Sequence, residues 1–122
     1  MFDHISIGVR DIARSQAFYD SALQAIGYKR LSEDSLGYGK EAVAFWIGLT
    51  NSPVPDDSKS GLHFCFAVPD RQSVARFHAT ALAAGGRDNG KPGVCADYGP
   101  DYFAAYVVDP DGYRLEALHL GA

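Results

Sequence analysis

Polar and apolar residues alternate along positions 2–9: Ile5, Ile7 and Val9 share one side, His4, Ser6 and Gly8 the other. A period of two belongs to a strand with one buried face. From Ile12 the period lengthens. Ile12, Tyr19, Leu23 and Ile26 recur at helical spacing, and Phe18 and Ala22 widen the stripe, which predicts an amphipathic helix. Asp11 precedes it as an N-cap, and Gly27 follows it as a stop. Residues 28–33 read as a second strand, 37–41 as a turn and 42–49 as the last strand of a hairpin.

The pattern then repeats. His4, Val9, Asp11, Phe18, Ala22, Leu23, Ala25 and Gly27 return 59 positions later as His63, Val68, Asp70, Phe77, Ala81, Leu82, Ala84 and Gly86. Leu62, Phe64, Phe66 and Val68 take the helix side of a strand over 62–68, and His63, Cys65 and Ala67 the other. Asp70 caps a second helix whose stripe includes Val74, Phe77, Ala81 and Leu82; Gly85-Gly86 ends it, and His78 falls on its solvent side. Residues 87–98 hold one short strand at most, whereas 102–108 and 113–119 read as strong strands. Between them Asp109-Pro110-Asp111-Gly112 is a turn, since Pro presets φ and Gly accepts φ > 0.

A unit written twice decides the fold before propensity does. Each half reads βαβββ, about 1–50 and 61–122, joined by a Pro/Ser/Asp/Gly-rich linker over 51–60. The expectation is one α+β domain over 1–122. One helix covers one face of each four-stranded sheet, so the faces carrying His4 and His63 line a cleft in an open, barrel-like arrangement.

A chain of 122 residues with 47% hydrophobic content can bury a core. Net charge is −4 without a Lys/Arg cluster, which argues against nucleic acid. No apolar run nears the ~20 residues of a membrane span. The start, Met1-Phe2-Asp3-His4, lacks the basic-then-apolar pattern of a signal peptide. Cys65 and Cys95 are unpatterned, and reduced thiols in a cytoplasmic protein are the simplest expectation.

His4, His63 and Glu116 share the parity of the cleft face, with Arg114 and Leu118 beside Glu116. A lone histidine at a strand start is usually an ordinary polar residue. The repeat makes these two equivalent, and a carboxylate on the same face completes a set. Two imidazoles and a carboxylate suit a divalent first-row ion with positions open for substrate; the ion polarises a carbonyl or enolate oxygen, or holds a diol. His119 has the opposite parity and reads as surface. Trp46, Tyr98, Tyr102, Tyr106 and Arg114 are candidates for the substrate wall; Arg114 is expected to neutralise a neighbouring Asp rather than bind an anionic substrate. Cys65 shares the cleft face but is expected to pack rather than react. No G-x-S-x-G, phosphate loop or C-x-x-C is present.

The segments Asp3-His4-Ile5-Ser6-Ile7-Gly8-Val9, Phe18-Tyr19, Gly61-Leu62-His63-Phe64, Tyr102-Phe103-Ala104-Ala105-Tyr106 and Asp109-Pro110-Asp111-Gly112-Tyr113-Arg114-Leu115-Glu116-Ala117 resemble the glyoxalase / bleomycin resistance / extradiol dioxygenase group, the vicinal oxygen chelate superfamily. The resemblance covers essentially the whole chain. It implies paired βαβββ modules and a divalent metal (Zn, Ni, Mn or Fe) held by His4, His63 and Glu116, with Glu116, or a nearby Tyr, handling the proton. It implies a small-molecule substrate chelated through adjacent oxygens, in a lactoylglutathione-lyase-like or ring-cleaving-dioxygenase-like reaction. The alternative it offers is a non-catalytic protein that sequesters a small molecule or antibiotic. Glyoxalase-type members carry a fourth ligand on the last strand of the first module; here that region offers Ala44, Phe45 or Trp46, none of which binds metal. Residues 97–99 are Asp-Tyr-Gly, without the histidines that relatives carry beside the tyrosine. A homodimer is expected. In short members the partner's module completes each cleft, so His4 of one subunit meets His63 and Glu116 of the other; a linker spanning roughly 20 Å equally permits closure within one chain.

Overall fold

The alternation at the start of each half becomes an edge strand, and the capped stripe becomes the helix that covers it. A computed structural model describes residues 1–57 and 59–122. The first half runs β1 (Ile5–Val9), α1 (Ile12–Gln24), β2 (Lys29–Arg30), β3 (Leu36–Gly39) and β4 (Val43–Leu49); the second runs β5 (His63–Ala67), α2 (Arg71–Ala83), β6 (Arg87–Val94), β7 (Tyr102–Val108) and β8 (Arg114–Leu120). Short 3₁₀ turns at Val54–Asp56 and Ala96–Tyr98 precede β5 and β7. The two sheets have equivalent orders, β1-β4-β3-β2 and β5-β8-β7-β6, with a parallel first pair and antiparallel remainder. They are not closed into one barrel.

The repeat is legible in the capping and packing. Asp11 accepts from the Arg14 N–H at 3.0 Å, and Asp70 accepts from the Ser73 N–H at 2.7 Å, each satisfying one of the free donors of a helix start. Phe18 and Phe77, at equivalent positions, are fully buried, as are Ala22 and Ala81. At the helix ends the copies diverge. Gly27 takes φ +92° in the first, whereas Gly85 takes φ +105° in the second. Gly86, the repeat partner of Gly27, serves close approach instead, because a Cβ there would lie 2.7 Å from Phe18 Cε1.

The helix-facing sides of both sheets share one core. Phe45 of β4 meets Tyr19 of α1 at 5.4 Å between ring centroids and Phe64 and Phe66 of β5 at 6.0 and 5.9 Å. The faces carrying Trp46 and Glu116 therefore turn away from it. The Asp109–Gly112 turn fastens the halves together. Asp109 Oδ1 accepts from the Asp111 and Tyr113 N–H groups at 2.8 Å each, while the Tyr19 hydroxyl donates to Oδ2 at 2.5 Å. Tyr113 Oη donates to the Gly8 carbonyl at 2.7 Å, and Arg14 pairs with Asp111 at 3.0 Å.

Four expectations are corrected. The strand expected over 28–33 shortens to Lys29–Arg30, and much of the turn expected over 37–41 is strand β3. Its Leu-Gly-Tyr-Gly sequence looks like a turn, but its glycines let Trp46 and the Ala42 carbonyl approach the backbone. The segment over 87–98 carries an eight-residue strand, β6, rather than a short one. Its polar sequence with Gly90, Pro92 and Gly93 has no alternation; pairing with β7 holds it, through two register shifts, at the edge where Pro and bulges are tolerated. His78 is buried, 8% exposed, with Nε2 2.9 Å from Asp88 Oδ1, instead of facing solvent.

Candidate functional site

The outward face of the second sheet carries the chemistry. Alternation along β5, β7 and β8 puts His63 and Cys65, Tyr102 and Tyr106, and Arg114 and Glu116 on that face, with ladder pairs His63↔Arg114, Cys65↔Glu116 and Tyr106↔Glu116. Glu116 is the centre. It is only 3% exposed, and a carboxylate so enclosed must be hydrogen-bonded. Both oxygens are. His63 Nε2 lies 3.2 Å from Oε1, and the Tyr102 hydroxyl donates to Oε2 at 2.6 Å.

The surrounding groups respond to that carboxylate. Desolvation, then the Glu116 charge, pushes the Cys65 thiol up to about 12, so it remains protonated at neutral pH and is a poor nucleophile. Desolvation and the hydrogen bond to Glu116 also raise the Tyr102 phenol well above its usual value. The Tyr106 hydroxyl sits 3.5 Å from Cys95 Sγ, and the Tyr98 and Tyr102 rings lie 5.0 Å apart. Tyr98, Tyr102 and Tyr106 line, with Asn89, an open cavity of about 310 Å³ that has His63, Arg114 and Glu116 in its wall.

His4 stands apart from this cluster. It precedes β1, half exposed, with Nδ1 2.7 Å from Asp3 Oδ1. It borders a second opening of about 580 Å³, between the halves, whose wall includes Phe2, Leu62, His63 and Phe64. Among the described residues no three His, Cys, Asp or Glu side chains converge on a point that a metal could occupy. One chain thus brings together His63 and Glu116 but not the trio with His4.

Trp46 faces outward on the first sheet, paired with Ser6 and packed on Gly37. Tyr98 is 70% exposed in the 3₁₀ turn before β7. Among the described residues Arg114 has no Asp partner, contrary to expectation: its Nη2 donates to the Ser60 carbonyl. His119 is half-buried rather than on the surface, and its Nδ1 lies 3.2 Å from the Val68 carbonyl oxygen. Two residues of interest escaped the sequence reading. Asn89 lies in a stretch without alternation, so no face was readable there. Asp3 is adjacent to His4, and that adjacency was the available signal.

No helix among the described residues is long and apolar enough to cross a membrane. Among curated proteins, the chain is 32% identical over 128 residues to "Probable lactoylglutathione lyase, chloroplastic" from Arabidopsis thaliana, covering 97% of this chain and 35% of that protein. A second Arabidopsis thaliana lactoylglutathione lyase is 28% identical, over 98% of this chain and 44% of its own length. The chain therefore spans less than half the length of these relatives. Among solved structures, a glyoxalase/bleomycin resistance protein from Albidiferax ferrireducens T118 superposes with a TM-score of 0.77 at 29% identity, covering 98% of both chains. The fold likeness and a family-model match over residues 1–117 agree: the chain belongs to the Glyoxalase/Bleomycin resistance protein/Dioxygenase superfamily.

Proposed function

We propose that this chain is a metal-dependent enzyme of the lactoylglutathione-lyase-like or ring-cleaving-dioxygenase-like type. Its substrate is a small molecule held through two adjacent oxygens. Its ligand set is His63 and Glu116 of one copy with His4 of a second copy in a homodimer. The observation that carries the reading is the His63 Nε2–Glu116 Oε1 approach of 3.2 Å on an outward sheet face. Two metal-donor groups that close are poised to take one ion between them. The donor chemistry fits a divalent first-row cation: imidazole and carboxylate suit Zn, Ni, Mn or Fe.

The neighbours support the assignment. Asp3 engages His4 Nδ1, an arrangement that directs the Nε2 lone pair outward, as carboxylates do behind metal-binding histidines. Tyr102 holds Glu116 Oε2 and so fixes the plane of the carboxylate. The bound cation supplies a Lewis acid. Glu116 uses Oε1, once His63 releases it, as a ligating or proton-accepting atom. Tyr102, Tyr106, Tyr98, Trp46 and Arg114 are the substrate wall. The outward turn of the faces carrying Trp46 and Glu116 supports completion by a second copy.

Trp46 favours a second reading, metal-independent sequestration of a small molecule, because an aromatic ring stands where a fourth ligand would be. Metal analysis of tag-free protein separates the two. The enzyme reading expects one equivalent of metal per chain, lost in His63→Ala and in Glu116→Gln, with turnover of hemithioacetal or catechol substrates. Wild-type metal content no higher than that of the two variants would leave the sequestration reading.

A further inference from the structure

We infer that the 310 Å³ cavity on the second sheet selects a single-ring aromatic carboxylate, with Arg114 binding the carboxylate and Tyr98 and Tyr102 stacking on the ring. This deepens the reading above and rests on the same site. Size comes first. The part of the site that one copy supplies, about 310 Å³, has room for one substituted ring. Its wall is rich in phenol rings. Tyr98, 70% exposed, leans on Tyr102 with rings tilted by 47° and centroids 5.0 Å apart, and both rings line the cavity. Apolar area so exposed, beside hydroxyls able to orient a ligand, is a stacking platform.

Charge sets the rest of the specificity. Among the described residues, Arg114 is the only Lys or Arg in the wall. It makes no ion pair among the described residues: none of the salt bridges includes it. Its Nη2 donates to the neutral Ser60 carbonyl, the guanidinium's one hydrogen bond among the described residues and one that brings no counter-charge. Glu116, the one acid in the wall, is already engaged by His63 and Tyr102. A guanidinium without a counter-ion recognises a carboxylate through paired donors. The ladder pair His63↔Arg114 places that recognition beside His63.

The test uses salicylate and its neutral isostere salicylamide as probes, titrated calorimetrically into chelator-treated full-length protein at neutral pH. The expected result is salicylate binding roughly tenfold or more tightly than salicylamide, as a charge-assisted contact gives. Arg114→Gln abolishes this preference, and Arg114→Lys retains part of it. Equal affinities in the wild type, a preference that survives Arg114→Gln, or no binding of either probe at millimolar concentration overturns the proposal. Thermal melts establish that each variant is folded. Metal content, measured separately on untreated protein, reports on the metal reading: its absence sinks that reading and leaves the charge preference standing or falling by itself.

Discussion

Trp46 and Glu116 occupy equivalent points of the two halves. Ser6 and Cys65, 59 positions apart in the repeat, pair across their parallel ladders with Trp46 and Glu116 respectively. The duplicated architecture therefore presents a carboxylate on one sheet and an indole on the other at the same place. The register settles which of residues 44–46 stands there, and it is the indole rather than Ala44 or Phe45. His63 and Glu116 stand on the second sheet, and the first presents Trp46 on its outward face.

That indole is locked by a glycine. A Cβ on Gly37 would lie 2.7 Å from Trp46 Cζ3 and 2.9 Å from Val43 Cγ1. Gly37→Ala is expected to destabilise the protein by about 1–3 kcal/mol through overpacking. Trp46→Ala should relieve much of that cost, so the double variant is less destabilised than the sum of the singles. Urea unfolding of the four proteins measures the coupling; strict additivity would show that the ring and the glycine are not in contact.

Tyr102 fixes Glu116 without itself being a metal-donor residue in the proposed set. Its hydroxyl donates to Oε2 at 2.6 Å, so Tyr102→Phe leaves an enclosed carboxylate oxygen without its donor. Orienting partners of this kind are typically worth about 10–100-fold in metal affinity. Competition against a chelator dye should show a loss of that order for Zn²⁺ or Ni²⁺. Asp3→Ala should weaken binding to a similar degree if His4 is a ligand, and an unchanged affinity there would remove His4 from the set.

What the sequence disclosed, and what it hid, follows from how each residue acts. Alternation and repeat spacing located β1, β5, both helices and their Asp caps, because those features depend on local periodicity. Parity placed His63, Tyr102, Tyr106 and Glu116 on one face correctly, since a strand's period is fixed. β3 and β6 were obscured because their glycines and proline break alternation, and pairing with β4 and β7 overrides that local weakness. His78 was misplaced because Asp88, its partner, sits on the unrecognised strand β6. Arg114 was assigned an acid that is not there because contact with the Ser60 carbonyl depends on the linker's path, which no motif encodes.

The His78–Asp88 contact gives stability a pH dependence. The hydrogen bond from His78, then that from the Gly90 N–H, holds Asp88 below its ordinary value of 3.8. A depressed carboxylate contributes stability that is present above the unfolded value and lost as pH falls through the folded one. Wild-type melting temperature should thus drop more steeply below about pH 4 than that of Asp88→Asn. Parallel acid-side profiles for the two proteins would mean that the contact carries no linkage.

The halves are joined by a buried tyrosine–aspartate contact, and its removal should be felt across the whole molecule. Tyr19 is fully buried and donates at 2.5 Å to Asp109, itself 2% exposed. Asp109 Oδ1 is committed to the two N–H groups of its own turn, so Tyr19→Phe strands Oδ2. A buried acceptor left unsatisfied costs about 1–3 kcal/mol. The ring remains, so the packing against Phe18 and Phe45 at 4.9 and 5.4 Å is kept. The loss should appear as a lower urea midpoint with an unchanged slope, because both halves still unfold together. A biphasic transition in Tyr19→Phe would instead show that this single bond couples the two halves, and that without it each melts separately.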